Sequence, residues 1–244
     1  VVVTYDFSDR KETVDRSVIK NWLTKDENDD LVLDKAVIAD YISELAKKYD
    51  TVGTERTFST YDNQEITVSG GNYGWVIDQE KETDALYQDI MDKKTEVREP
   101  VYEQEAQSRN TNDIGYSYIE IDLTRQRMVL YQNGSPIVDT GFAASSSTPT
   151  GVYRLGDKQE AASVDFWMPF TDKLGIYGDS GLVITGTDLS DEIGDSGDFG
   201  SSEESVDFGS SDSWMSTEGC IVLPEEQAQT IYQNVDSGLP VVIY

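Results

Sequence analysis

The sequence predicts two domains in series, an α+β domain over residues 1–112 and a mainly β domain over residues 113–244. Three observations point there. Helical spacing of apolar residues is concentrated in the first half, short alternating segments dominate after residue 113, and the polar stretch TEVREPVYEQEAQSRNTND (95–113) between them follows neither period beyond PVY. At 244 residues with 37% hydrophobic content, the chain can fill one large core or two medium ones.

Taken in order, RSVIKNWL (16–23) predicts a short helix, and DKAVIADYISELAKKYD (34–50) predicts a longer one. The second places Ala36, Ile38, Ala39, Ile42, Leu45, Ala46 and Tyr49 near one face, with Asp34 able to cap its start. TERTFST and QEITVSG alternate as a half-buried hairpin closed by YDNQ. GGNYGWVID (70–78) is read in two ways: a tight turn with Tyr73 and Trp75 as core aromatics, or a groove in which both rings stack on a sugar or peptide. EKETDALYQDIMDKK (80–94) supplies a third helix, and 95–113 reads as a linker.

Strands are then expected at YSYIEIDL (116–123), RMVLYQNG (127–134), PIVDTGFAA (136–144), GVYRLGD (151–157), VDFWMPF (164–170) and LVITGT (182–187). Asn133 and Gly134 tolerate the positive φ of a tight hairpin turn. Trp167 and Phe170 suit the β core, with Trp167 a candidate for the edge of a substrate cleft. Pro224 opens a helix over EEQAQTIYQNV (225–235), and LPVVIY (239–244) reads as a buried strand.

The net charge is −28, from 47 acids against 19 Lys and Arg, and no basic stripe is present, which argues against a nucleic-acid partner. Beyond Lys173 there is no Lys or Arg, whereas those 71 residues carry 14 acids. One cysteine and no histidine exclude an intrachain disulfide and the usual thiolate and imidazole metal sites. No cofactor is expected, and calcium is the metal this composition best accommodates. The acidic run DLSDEIGDSGDFGSSEESVDFGSSDS (188–213) is too poor in apolar residues to fold alone and reads as a solvated insertion. Two functional versions stand beside that reading: Asp188, Asp191, Asp195 and Asp198 gather a calcium ion, or the loop attracts ammonium groups of a cationic partner.

STEGCIVLP (216–224) holds the lone cysteine, Cys220, behind a glycine and ahead of an apolar run. A cysteine nucleophile needs a base or a cation to hold it as thiolate. The bland alternative is a small buried hydrophobe.

Residues 114–244 resemble the YkuD-type L,D-transpeptidase catalytic domain through YIEIDLTRQRMVLYQNG, STPTGVYRLGDK, VDFWMPF, GCIVLP and GLPVVIY. The preceding part, with GGNYGWVIDQE, resembles the peptidoglycan-binding domain that often precedes it. The resemblance implies a β-sandwich, peptidoglycan stem peptides as substrate, and an extracellular or cell-wall location with an N-terminal membrane anchor outside this stretch. It also implies Cys220 as the nucleophile that forms a thioester, with backbone N–H groups around Gly219 and Cys220 stabilising the oxyanion.

The family signature has a histidine two residues before the cysteine and Arg or Asn two residues after; here these are Glu218 and Val222. The upstream histidine aligns with either Tyr177 or Thr185. Neither side chain is a good base at neutral pH, and a carboxylate at 218 would disfavour the thiolate, so weak or absent transpeptidase activity is expected. A buried Glu218 acting as an alternative base is the other possibility, and a non-catalytic peptidoglycan-binding or scaffolding protein is the rival class. On this reading the sulfur lies at the mouth of the β scaffold in anionic surroundings.

Overall fold

The structure, a computed structural model, describes residues 1–109, 112–159, 164–184 and 218–244. It divides into two compact units, Val1–Tyr116 and Ser117–Tyr244. Among the described residues no helix is long and apolar enough to cross a membrane.

The first unit opens with β1 (Val2–Asp6) and β2 (Lys11–Val14), an antiparallel pair. Asp15 caps α1 (Arg16–Ile19) by accepting the Ser17 N–H at 2.8 Å. The expected helix over 16–23 is shorter than its pattern: one α-turn passes into a 3₁₀ turn at Lys20–Trp22, and Leu23 is already extended at the start of β3 (Leu23–Lys25), which pairs with β4 (Leu31–Leu33). Asp34 caps α2 (Lys35–Tyr49) through the Ala36 N–H at 2.9 Å. This helix buries Ile38, Ile42, Leu45, Ala46 and Tyr49, whereas Ala36 and Ala39, expected on the same face, are exposed. The hairpin of β5 (Arg56–Ser59) and β6 (Glu65–Val68) has the expected partners, with Asn63 at φ 60° in its turn. Then come β7 (Val76–Ile77), α3 (Gln79–Met91), β8 (Thr95–Arg98) and β9 (Tyr102–Gln104).

The linker expected at 95–113 is corrected here. β8 lies parallel to β1, with Val2 opposite Thr95 and Tyr5 opposite Arg98, and β9 pairs with β7. The cause is tertiary. Glu82 on α3 is fully buried and receives both Arg98 guanidinium nitrogens at 2.6 and 2.9 Å, the Tyr5 hydroxyl at 2.5 Å and the Val101 N–H at 2.7 Å. Arg98 Nε and Lys94 both donate to Asp89, one α-turn pair further on. A carboxylate buried at that depth is stable only when its lone pairs are answered, and here all the answering groups but the Tyr5 hydroxyl are supplied by the polar segment itself.

The second unit contains β10 (Tyr118–Asp122), β11 (Arg127–Gln132), β12 (Ser135–Gly141), β13 (Ala143–Ala144), β14 (Gly151–Arg154), β15 (Asp165–Pro169), β16 (Gly175–Asp179), β17 (Ile221–Pro224), α4 (Glu225–Asn234) and β18 (Pro240–Ile243). Two mixed sheets form, ordered β12-β11-β10-β18-β14 and β13-β17-β16-β15. Ile119, Ile121, Met128 and Leu130 of the first sheet pack with Met168, Ile176, Ile221 and Leu223 of the second and with Ala228 and Ile231 of α4. This is a sandwich closed by one helix. The expected turn forms, with Asn133 at φ 50° and Gly134 at φ 80°. Of the strand expected at 182–187, residues 182–184 are irregular, with Val183 74% exposed, and 185–187 lie outside the described residues. The strand that the pattern failed to announce is β16, whose Ile176 and Tyr177 are buried beside two glycines, Gly175 and Gly178.

Candidate functional site

Cys220 sits immediately before β17, and β17 runs parallel to β16 with Ile176 opposite Ile221 and Tyr177 opposite Val222. Gly219 directs the chain into the strand at φ +93°. A Cβ there would meet Leu174 Cδ2 at 3.2 Å and the Ser147 carbonyl at 3.3 Å, so glycine suits both the backbone angle and the space. The Gly219 N–H donates to Ser145 Oγ at 2.9 Å, and Ser145 Oγ lies 2.6 Å from Ser147 Oγ.

The sulfur is enclosed. Cys220 is 1% exposed and packs with Val164, Trp167 and Tyr177, with Leu174 and Val222 against them. A bulge in β15 brings Trp167 there: the register shifts between Asp165 and Met168, Phe166 takes φ 58°, and Trp167 and Met168 are consecutively buried. A regular strand would send one of these two side chains to each face. On β16, Gly175 leaves room for the indole, because a Cβ at 175 would stand 2.7 Å from Trp167 Cη2 and 2.8 Å from the Met168 carbonyl. The Gly175 N–H donates to the Cys220 sulfur. Gly175→Ala is expected to cost about 1–3 kcal/mol by overpacking, read as a lowered urea midpoint; an unchanged midpoint would show that the indole yields without strain.

Electrostatics follow from this enclosure. Burial raises the Cys220 pKa, and the Gly175 N–H partly offsets it. Burial also pushes the Tyr177 pKa up to about 12, with Cys220 and then Asp179 adding to the rise. The expected cause at Cys220 is therefore corrected: removal from water, rather than the Glu218 carboxylate, dominates. Both groups hold protons more tightly folded than unfolded, so their contribution to stability is complete below their ordinary values and is lost as pH rises through about 9 and upward. A denaturation midpoint that stays level or increases from pH 8.5 to 10.5 would contradict that sign.

Two domain models match the chain. The L,D-transpeptidase catalytic domain model matches residues 116–243. The chain belongs to the L,D-transpeptidase family. Residues 2–98 match the model described as "Putative peptidoglycan binding domain", so this transpeptidase-family chain carries an N-terminal peptidoglycan-binding domain. Among solved structures it is similar to the Ldtfm-avibactam carbamoyl enzyme, at 25% identity and TM-score 0.70, covering 100% of this chain and 93% of that one. It is similar in the same way to a cysteine-to-serine mutant of Enterococcus faecium L,D-transpeptidase, at 25% identity and TM-score 0.69, covering 100% and 95%. Among curated proteins, none matches.

Of the residues singled out in this L,D-transpeptidase family chain, the fold brings together Cys220, Gly219, Tyr177 and Trp167. Cys220 is not at an open mouth, and Trp167 is fully buried against it rather than edging a cleft. Glu218 is exposed, whereas its reading as a base requires burial. Thr185 and the aspartates 188, 191, 195 and 198 lie outside the described residues, and among the described residues no group of acids or Cys is placed to hold a metal. Tyr73 and Trp75 belong to the first unit. Tyr73 is closed inside it, its hydroxyl donating to the Asp113 carbonyl at 3.0 Å, and one face of Trp75 is taken by the Arg109 guanidinium at 4.2 Å. Sequence reasoning missed Ser145 and Gly175. The STPTG motif flagged the neighbourhood of Ser145, but its bond to Gly219 spans 74 residues.

Proposed function

We propose that this chain is a cell-wall protein outside the cytoplasm that engages peptidoglycan stem peptides and performs cysteine acyl transfer weakly or not at all. The observation that carries this reading is the state of Cys220: its pKa is raised by burial, and its buried neighbour Tyr177, at about 12, stays protonated at neutral pH and cannot serve as its base. The chain contains no histidine to take that role. Loss of a general base costs roughly two to four powers of ten in rate.

If acyl transfer runs, the Cys220 thiolate attacks a stem-peptide carbonyl, the C–N bond breaks and the leaving amine takes a proton. An acceptor amine then attacks the thioester carbonyl and releases the thiolate. Of the expected oxyanion donors, the Gly219 N–H is already committed to Ser145 Oγ. Incubation with a carbapenem at pH 7, followed by intact-mass measurement, tests the reading. The expected result is the unmodified mass after hours, and a stoichiometric adduct at Cys220 would overturn it. A purely binding or scaffolding role is the second reading, favoured by the same enclosure of the sulfur; it requires that Cys220→Ala leave peptidoglycan retention unchanged.

A further inference from the structure

In a chain with 47 acids and 19 Lys and Arg, most cations are expected to meet a carboxylate, and many do: Lys94, Arg98 and Arg127 each hold one. Arg109 departs from that pattern. Among the described residues no carboxylate forms an ion pair with it, and its hydrogen bonds go to neutral acceptors, the Tyr49 carbonyl at 2.8 Å and the Tyr102 hydroxyl at 2.7 Å. Its Nε is buried and has no hydrogen-bond partner among the described residues. Asp50 is near enough to feel the charge, yet its own oxygen accepts the Ile77 N–H.

The guanidinium is nonetheless fixed. It lies over Trp75 at 4.2 Å, Tyr102 at 5.1 Å and Phe7 at 5.2 Å, three rings whose π-faces favour a cation and hold its plane. It is also part of the wall of two cavities in the first unit. One, of about 280 Å³, includes Trp75 and Tyr102; the other, of about 500 Å³, includes Arg10, Thr51, Thr54, Glu55 and Arg56. Arg56 is 4% exposed and its charge is answered by Asp113 at 3.0 Å, while its Nε, like that of Arg109, has no partner among the described residues. Arg10, paired with Asp9, is an exposed cation at the same cavity.

We infer that the larger cavity binds a carboxylate of a peptidoglycan stem peptide, with Arg109 as the principal anchor and Arg10 as the outer cation. Arg109 meets the requirements of carboxylate recognition: a planar donor fork with unused N–H groups, held in place and not neutralised by a resident acid. The Thr51 and Thr54 hydroxyls spend their protons within the wall, on Asp113 and on the Thr51 carbonyl, so the cations carry the recognition, and Glu55 stands where an ammonium group of the same peptide is accommodated. Trp75 acts by seating the arginine, and its covered face does not stack on the ligand.

This inference rests on the peptidoglycan reading, and the experiment separates the two. The intact protein is titrated by calorimetry with a soluble disaccharide-tetrapeptide and with the same molecule bearing amidated carboxyl groups, while retention on whole sacculi is measured in parallel. The free-carboxylate ligand is expected to bind at least about tenfold tighter than the amidated one, and Arg109→Gln should remove that preference. Arg10→Gln, at an exposed position that leaves the fold intact, should reduce it severalfold. Retention on sacculi with no preference between the two ligands would overturn the carboxylate site alone. Absence of retention on sacculi would overturn the peptidoglycan reading together with it. If Arg109→Gln does not fold, the two ligands on the unaltered protein and the Arg10 variant still decide.

Discussion

Iodoacetamide is expected to label Cys220 in the folded protein at pH 7 at least about a hundredfold more slowly than in the same chain unfolded in urea. Two effects act in one direction. Alkylation requires thiolate, and burial raises the Cys220 pKa, so the reactive fraction falls below that of an ordinary thiol. The reagent must also reach a sulfur that is 1% exposed, packed with Trp167, Tyr177 and Val164. Access through local opening by about 3 kcal/mol would by itself account for the hundredfold ratio. Trp167→Ala opens the enclosure and should recover a large part of the rate, with labelling rising further as pH increases. Equal rates in folded and unfolded chains would show that the sulfur is reactive as it stands, and the weak-transfer reading would fall with that result.

The second large effect lies in the first unit. Glu82→Ala is expected to destabilise it by about 3–5 kcal/mol, the range for removing one partner of a buried charge pair. The carboxylate answers Arg98 through two bonds and also takes the Tyr5 hydroxyl and the Val101 N–H. Its loss leaves Arg98 leaning on Asp89 and strips the Val101 N–H of its acceptor. Combining Glu82→Met with Arg98→Met should recover much of the loss, because an apolar pair of similar volume incurs no charge desolvation. Urea unfolding followed by tryptophan fluorescence reads both. A change under 1 kcal/mol for Glu82→Ala would mean that this network is not what holds residues 95–101 to the unit.

Legibility varied with the range of the interaction. α2 was readable because Asp34 and the apolar spacing of Ile38, Ile42, Leu45 and Tyr49 are local signals that agree. The β10–β11–β12 meander was readable because alternation and the Asn133-Gly134 turn lie within a few residues of one another. β8 was not: Thr95–Arg98 is a polar segment whose strand state depends on β1, some ninety residues earlier, and on Glu82. β16 was hidden for a related reason. Its two glycines weaken strand propensity, and they are tolerated because Trp167 presses on one and Ala228 of α4 lies 2.9 Å from a Cβ at the other.

The site divides in the same way. Cys220, Gly219 and Tyr177 could be selected by motif and alignment, whereas Ser145 and Gly175 could be selected only after the chain was folded onto itself. The most consequential departure concerns the sulfur, expected at an open mouth and found enclosed.

What the amino-acid order determined by itself was the family, the division into an α+β and a mainly β part, and the absence of histidine chemistry, since each follows from residue identity and short-range spacing. What tertiary structure decided was the environment of each reactive group. Whether Cys220 meets water or an indole, and whether Arg109 faces a carboxylate or three aromatic rings, depends on segments distant in sequence, and the cost of removing charge from water is set by those neighbours.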